Sequence, residues 1–446
     1  MNRTSMNRAR RDQAYNAAIM QEVVAVFVLL ISLGFPGNYT EIIGETAGKM
    51  LEYIAFILEI GNMLLFNASD WKDIQLIYIP KKYLSIYIYA FIIFGVSMVA
   101  TSFPKEQFIT CVRITVTTVY AIWLQDRYST EYLEELICIS LAAFIMFTLL
   151  LMMIRPDLVS ESGSTFTDAF RGLHSTKNTC GTELAFGILM SILMIQHGMR
   201  RRRKLMRWCV LCLIQIVLLI MCQATGPVIC LLISLFPIFT AKHFRLPLGL
   251  MYVTANIVFL FCALTILPLF SDFLEYIGKD ATLTGRVPMW RKLIELMMQN
   301  KTMTGYGYGM FWRDPIAMAN FHSGFSKTRD NFLATMTSGA HNAIIETWVN
   351  TGLIGVGSFF FLLLFAFSRV DEMTLEKYRL ASTCMVFLMM NGLTERCLGG
   401  NYDYKMMILF ISLSAGCDRI PVKSSYLAQK EALNRIEQRR IEQAPH

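Results

Sequence analysis

Charge is what this sequence has least of. Charged residues make up only 17% of its 446 residues and hydrophobic residues 54%, against roughly 25% and about 45–50% in a soluble domain. That shortage excludes a disordered chain, a coiled coil and almost any soluble enzyme. The 11 cysteines are scattered, mostly inside apolar runs, as at Cys209, Cys212, Cys222 and Cys230. They form no disulfide framework and read as small buried hydrophobes. No internal repeat stands out, and no basic or aromatic nucleic-acid motif accompanies the net charge of +8, so no nucleic-acid partner is expected. No Asp-x-Asp or other metal-binding cluster occurs in the long hydrophilic segments, so no metal and no cofactor is expected. What remains is an all-α, polytopic membrane protein.

Apolar runs long enough to cross ~30 Å of hydrocarbon fall near 19–36, 47–66, 84–103, 107–124, 132–154, 180–197, 207–223, 226–240, 247–270, 343–368, 380–396 and 404–416, about twelve in all. The last two are short. The first follows Arg3, Arg8, Arg10 and Arg11, but it contains Gln21 and Glu22 and has no small-residue cleavage site. It therefore reads as a signal anchor rather than a signal peptide.

Lys and Arg collect in short cytoplasmic loops. With the N-terminus inside, Lys72, Lys81, Lys82, Arg127, the run Arg200–Lys204 with Arg207, Lys242, Arg245, Arg369, Lys377 and Arg379 all fall on one side. An odd number of spans would break that agreement. The expected organisation is a cytoplasmic N-terminus (1–18), a membrane domain (19–416) that includes a large external loop (271–341), and a cytoplasmic tail (417–446).

The external loop carries Trp290, Tyr306, Tyr308, Phe311 and Trp312, an aromatic load that argues for order. Its basic residues escape the positive-inside rule because the loop is long. Pro288 suits the first turn of a helix, and Trp290, Leu293, Ile294 and Met297 then share one helical face. An amphipathic helix lying on the membrane surface is expected. Arg286 stands at its start, where a guanidinium and free helix N–H groups together suit a phosphate. The stretch Gly305-Tyr306-Gly307-Tyr308-Gly309 reads either as a plain turn or as backbone N–H groups offered to an anion.

His341 opens the next span. Histidine is the side chain whose ordinary pKa suits a base near neutral pH, and a helix-start histidine making a local hydrogen bond is the competing reading. Glu346, five residues on, does not share a helix face with it. Arg171, His174 and Lys177 stand at the mouth of the span near 180. Arg113 lies inside the fourth span near its outer end, and Glu395 with Arg396 ends the eleventh. Ionisable residues at membrane depth are candidates for function; snorkelling anchors and a local Glu395–Arg396 ion pair are the alternatives.

Three pieces, in order, resemble the O-antigen ligase/polymerase superfamily of bacterial membrane glycosyltransferases. They are Lys177-Asn178 with Gly181; Thr284-Gly285-Arg286 with Trp290 and the Gly305–Gly309 stretch; and His341-Asn342 with Gly352 and Gly355. Many members also carry a Ser-Arg pair before the eighth span, where this sequence has Gln223-Ala224-Thr225-Gly226-Pro227; Arg113 or Arg171 would then stand in for the missing arginine. The resemblance implies a metal-independent transferase at the outer face of the bacterial cytoplasmic membrane. Its donor would be a glycan on undecaprenyl diphosphate, its acceptor a lipid-linked repeat unit, and its partners the lipid bilayer and a chain-length regulator. It implies His341 as base and Arg286 as diphosphate ligand. Arg291, Arg171, Lys177, Asn178, Asn342, Trp290, Glu346, Glu395 and Arg113 would contact substrate. A polymerase for O-antigen, capsule or exopolysaccharide is the leading reading. A ligase acting on a lipid A–core acceptor is the close alternative, and a lipid-linked glycan transporter is the alternative of another class.

Overall fold

The computed structural model of the chain describes residues 3–33, 44–68, 81–161, 169–174, 176–198, 202–270, 276, 282–283, 285–325, 333, 339–395 and 404–418. Arg396, Thr284 and the segment from 419 onward lie outside them. Helices dominate: α1 (Arg3–Ser32), α2 (Glu45–Ala68), α3 (Leu84–Ala100), α4 (Pro104–Arg127), α5 (Thr130–Ile154), α6 (Lys177–Gly198), α7 (Arg202–Met221), α8 (Thr225–Thr240), α9 (Leu248–Phe261), α10 (Arg286–Leu296), α11 (Pro315–His322), α12 (Ala343–Ala366), α13 (Leu375–Thr394) and α14 (Tyr404–Cys417). Within the described residues, every apolar run expected to span overlaps one of them. Extended pairing among the described residues is confined to Ser160–Glu161 against Ala169–Phe170.

Among the described residues, six helical stretches are long and apolar enough to cross a membrane by length and composition. Shorter apolar helices cover Ile19–Ser32, Leu205–Met221, Thr225–Thr240 and Tyr404–Cys417. Two expected spans, α2 and α13, fall in neither group; both are charged near their starts, with Lys49 and Glu52 in one and Glu376, Lys377 and Arg379 in the other. α14 has 14 residues, only about 21 Å of helix, and every residue of it is buried. Its neighbours, α13 and α4 among them, cover it.

Large apolar side chains face outward along the bundle, for instance Phe91, Val99, Met153 and Leu269, each about four-fifths exposed. Such a surface is stable only against lipid, so the chain is a multi-pass membrane protein. At one end of the bundle the basic residues assigned to the inside meet acidic ones. Lys82 bonds Asp126 at 2.6 Å and Asp418 at 3.2 Å, Lys377 also pairs with Asp418, and Arg207 pairs with Glu135.

The loop between α9 and α12 has a core of its own, in which Met289, Trp290, Leu293, Phe311, Phe321 and Leu333 pack on Ile345 and Val349 of α12. The apolar face of α10 is therefore turned into this core rather than onto the membrane. Trp290 and Leu293 are fully buried.

α12 is broken where Gly352 adopts φ 66°, ψ −170°. The amides freed by the break, Leu353 and Ile354, donate to the carbonyls of Thr302 and Met303 at 2.9 and 3.2 Å. Irregular backbone at this depth is tolerated where protein satisfies it. A Cβ at Gly352 would lie 2.0 Å from the Met303 carbonyl oxygen, so only glycine fits.

Candidate functional site

The loop and two helix ends converge on Glu395, the first residue past α13. Arg286, the first residue of α10, donates from Nη2 to Glu395 Oε1 at 2.9 Å. His341 Nδ1 lies 2.9 Å from Glu395 Oε2. The three side chains are 21%, 30% and 24% exposed for Arg286, His341 and Glu395, shielded yet open on one side. Burial by itself raises the Glu395 carboxyl. The hydrogen bond from His341 and the charges of His341, Arg286 and Lys405 outweigh it and hold the group below its ordinary value of 4.5. Glu395 is thus an anion at neutral pH, and an ionised carboxylate only accepts. In the neutral imidazole the proton that Glu395 accepts then sits on Nδ1, and Nε2 keeps the lone pair.

His341 has φ 48°, a left-handed backbone that costs a non-glycine residue roughly 1–2 kcal/mol. Its neighbours hold it there. The indole N–H of Trp290 donates to the Ala340 carbonyl at 2.7 Å. The Ala340 amide donates to Glu346 Oε2 at 2.6 Å, and the other Glu346 oxygen accepts from Trp312 Nε1 at 3.2 Å. On the other side, Asn342 caps α12 by accepting from the Ile344 and Ile345 amides, both at 3.0 Å. Its Nδ2 donates to the Leu393 carbonyl at 3.0 Å, which ties α12 to the end of α13 that presents Glu395. Strain over-determined in this way is typical of functional positions.

Several sequence expectations are thereby relocated. Trp290, Glu346 and Asn342 are buried and act on the backbone around His341 rather than lining an open site. The first-turn amides of α10 are not free for an anion: Arg286 N and Val287 N bond the Leu283 and Thr282 carbonyls at 3.4 and 3.0 Å, and Pro288 has none. Phosphate recognition there falls to the guanidinium. The glycine stretch is likewise a packed turn. Tyr306 N and Gly307 N donate to the Val349 and Asn350 carbonyls, both at 2.9 Å, and Gly309 N to Asn350 Oδ1 at 3.0 Å.

Arg291 points off the opposite side of α10, where it is exposed and donates to the Leu264 carbonyl at 2.7 Å. Lys177 and Asn178 form the start of α6. The Asn178 carbonyl accepts from Thr182 Oγ1 at 2.8 Å, and Asn391 Nδ2 donates to that hydroxyl at 3.4 Å, one turn before Glu395. This chain of bonds sets the start of α6 at the same end of the bundle as the Glu395 cluster. Arg171 N donates to the Val159 carbonyl at 2.8 Å, and the next turn carries the buried His174–Glu183 pair. Arg113 is anchored on α2, 3.2 Å from Glu52 and 4.5 Å above the Tyr53 ring.

Sequence reasoning missed Lys405. It stands in the first turn of α14, is 7% exposed, and its charge acts on Glu395. A lysine opening a short apolar run was the available signal. The bridging role of Glu395 was also missed, since Arg396, not Arg286, was taken as its possible partner.

Residues 178–360 match the O-antigen ligase family. That segment holds α6 through most of α12, including Arg286 and His341. Comparison with curated proteins gives no match.

Proposed function

We propose that the chain, whose residues 178–360 match the O-antigen ligase family, is a polysaccharide polymerase of the O-antigen ligase/polymerase superfamily. In this reading it moves a glycan from undecaprenyl diphosphate onto a lipid-linked repeat unit, at the outer face of the bacterial cytoplasmic membrane. The observation that carries the proposal is the Arg286–Glu395–His341 cluster. It sets a cation for the leaving group beside an oriented base, at the mouth of a lipid-facing bundle.

The acceptor hydroxyl attacks the anomeric carbon as the bond to the diphosphate oxygen breaks. The electron pair departs with the diphosphate, and the hydroxyl proton passes to His341 Nε2. Glu395 fixes the tautomer and stabilises the imidazolium that forms. Arg286, already set by one bond to Glu395, turns its remaining N–H groups to the phosphate oxygens. Lys405 adds positive charge to the same place. Side chains supply the charge that the departing diphosphate needs, so the reaction proceeds without a metal. In this reading Lys177, Asn178 and Arg171, near the start of α6, contact the glycan or phosphates, and Arg291, on the opposite side of α10, meets a more distant part of the chain being built. A chain-length regulator is the expected partner.

The test is complementation. Wild type, His341→Ala and Arg286→Ala are expressed in a polymerase-deficient strain, membrane levels are matched, and extracted glycan is separated on a gel. Wild type should restore a ladder, while both variants leave single repeat units. Full-length lipid-linked chains that never reach lipid A in the deficient strain would make the protein a ligase. Repeat units trapped on the cytoplasmic side would make it a transporter.

A further inference from the structure

Residues 305–314, in the loop between α9 and α12, are built more rigidly than a connection requires. Gly305, Gly307 and Gly309 hold φ of 68°, 95° and 74°. Three amides of the stretch are taken by α12, and Met310 N, Arg313 N and Asp314 N close back on the Gly307, Met310 and Met310 carbonyls, each at 3.0 Å. Phe311, fully buried, pins the stretch to the loop's core. Four side chains on this frame are not buried: Tyr306, Trp312 and Asp314 are half-buried and Arg313 is exposed. The indole of Trp312 is oriented by its bond to Glu346 Oε1 at 3.2 Å. Its ring neighbours Phe311 and Phe321 both meet it near a right angle, at 85° and 80°, and among the described residues no ring lies flat on it. Asp314 uses Oδ1 to cap α11 through the Ile316 and Ala317 amides. Its Oδ2, the Tyr306 hydroxyl and the Arg313 guanidinium make no hydrogen bond among the described residues. Burial and the nearby Asp314 charge push the Tyr306 phenol above its ordinary value of 10, so it remains a neutral hydroxyl beside that carboxylate.

An oriented aromatic with polar groups at its rim is the make-up of a small-ligand site, and a backbone already fixed removes the ordering that binding would otherwise cost. The ligand chemistry follows from the groups. One face of a pyranose is a patch of C–H groups, whose positive edges suit the negative face of an indole. Its rim is a set of hydroxyls, which donate and accept. Asp314 Oδ2 accepts, Arg313 donates and the Tyr306 hydroxyl does either. The place also fits. Glu346 takes the indole N–H on one oxygen and the Ala340 amide, at 2.6 Å, on the other, and His341 follows Ala340. Trp312 is therefore two hydrogen bonds from the backbone that presents the base.

We infer that Trp312, with Tyr306, Arg313 and Asp314, forms a sugar subsite that holds a pyranose ring of the acceptor glycan beside His341. The inference rests on the transferase reading, and it is the same for a lipid-linked repeat unit and for a lipid A–core acceptor, since both present a glycan. The ring stacks on the indole, its hydroxyls meet the three polar side chains, and the Glu346 bonds keep that ring in a fixed relation to the base.

The experiment uses the full chain in nanodiscs, titrated calorimetrically with the lipid-free repeat-unit oligosaccharide that mild acid releases from the lipid-linked pool of the parent strain. Trp312→Phe and Trp312→Leu both lose the bond to Glu346 and differ in the aromatic face, so a merely structural tryptophan would leave the two alike. The subsite instead makes Trp312→Leu about tenfold weaker in Kd than Trp312→Phe. Tyr306→Phe, and Asp314→Asn, which keeps a helix-capping residue, should each weaken binding about threefold to tenfold. Equal affinities for the two Trp312 variants would overturn the inference. So would wild-type affinity in both Tyr306→Phe and Asp314→Asn, a result that decides the matter even where Trp312→Leu fails to accumulate. Displacement of the oligosaccharide by inorganic pyrophosphate would overturn it too, because the turn would then serve an anion. Catalysis is read separately, as elongation of labelled lipid-linked repeat units. A wild type that binds the sugar through Trp312 yet elongates nothing sinks the polymerase reading alone. A Trp312→Leu protein that elongates with the wild-type KM for the acceptor sinks the subsite alone.

Discussion

Glu395→Gln isolates the contribution of one charge, because glutamine keeps the shape and loses the anion. In the native site one carboxylate oxygen accepts from His341 and the other from Arg286, both at 2.9 Å. An amide has one accepting oxygen. If that oxygen faces Arg286, the NH2 group meets His341 Nδ1, and the ring takes the tautomer whose Nε2 carries a proton and has no lone pair to offer. If it faces His341, the NH2 group opposes the guanidinium. The larger loss is electrostatic. An imidazolium about 4 Å from a carboxylate gains ~4 kcal/mol at an effective dielectric of about 20, which corresponds to roughly 10³ in rate. Glu395 is 24% exposed, and proton transfer is incomplete at the transition state, so a loss of about 10² to 10³ is expected. The assay is the initial rate of chain elongation from labelled lipid-linked repeat units in proteoliposomes, with protein content and melting temperature matched. A folded Glu395→Gln protein within about threefold of wild type would refute the bridging role of Glu395 and the tautomer argument with it.

Other expectations follow from the same contacts. Trp290→Phe keeps the ring but leaves the buried Ala340 carbonyl without its donor, so stability should fall by about 1–3 kcal/mol with a parallel loss of activity, read from thermal unfolding and elongation rate. His341→Gly and His341→Ala should both be inactive, but glycine relieves the φ of 48° and should be the more stable by roughly 1 kcal/mol. Gly352→Ala forces a methyl into the Met303 carbonyl and should fail to accumulate in membranes, whereas Gly357→Ala, on the same helix and with helical backbone, meets nothing within 4 Å and should insert normally, as immunoblots of membrane fractions would show. Because the folded Glu395 carboxyl is held below 4.5, its contribution to stability is present above the ordinary carboxylate range and is lost as pH falls through the depressed value. Thermal unfolding between pH 3 and 6 should show wild type losing more stability on acidification than Glu395→Gln, the difference between the two curves being that increment.

The helices were legible because membrane insertion makes apolar length a nearly sufficient signal. The run 404–416 was expected as a span and is a helix, α14, although it is too short to cross alone. What its sequence does not carry is that other helices surround it on all sides. The site was legible in its residue types and not in its pairing. His341 and Arg286 stood out as a base and a cation near a membrane boundary, and both lie in the cluster. Glu395 looked tied to Arg396 because adjacency in sequence is visible and adjacency in space is not. The bland reading of the glycine stretch prevailed for a reason that lies elsewhere in the chain. Its amides are taken by α12, and that demand exists only because α12 breaks at Gly352. Trp290 fitted an amphipathic surface helix by periodicity, but periodicity reports which face is apolar and not what covers it.

The break in α12 and the strain at His341 belong to one arrangement. α12 begins just past His341, and eleven positions after that residue it opens at Gly352 to receive the loop backbone at Thr302 and Met303. The same loop begins with α10 and its Arg286. The loop is thus fastened to α12 twice, at Ala340 through Trp290 and Glu346 and at the break through backbone bonds. Arg286 and His341 lie about 55 positions apart in sequence, yet neither shifts without pulling on the other, because both bind Glu395. The proposed transfer, which would meet a diphosphate with a cation and a hydroxyl with a base at once, needs the distance between them fixed before substrate arrives. A surface helix free to slide in the lipid interface would not fix it. Burying the apolar face of α10 in the loop's own core, rather than in the membrane, is what turns Arg286 from a surface charge into a component of the site.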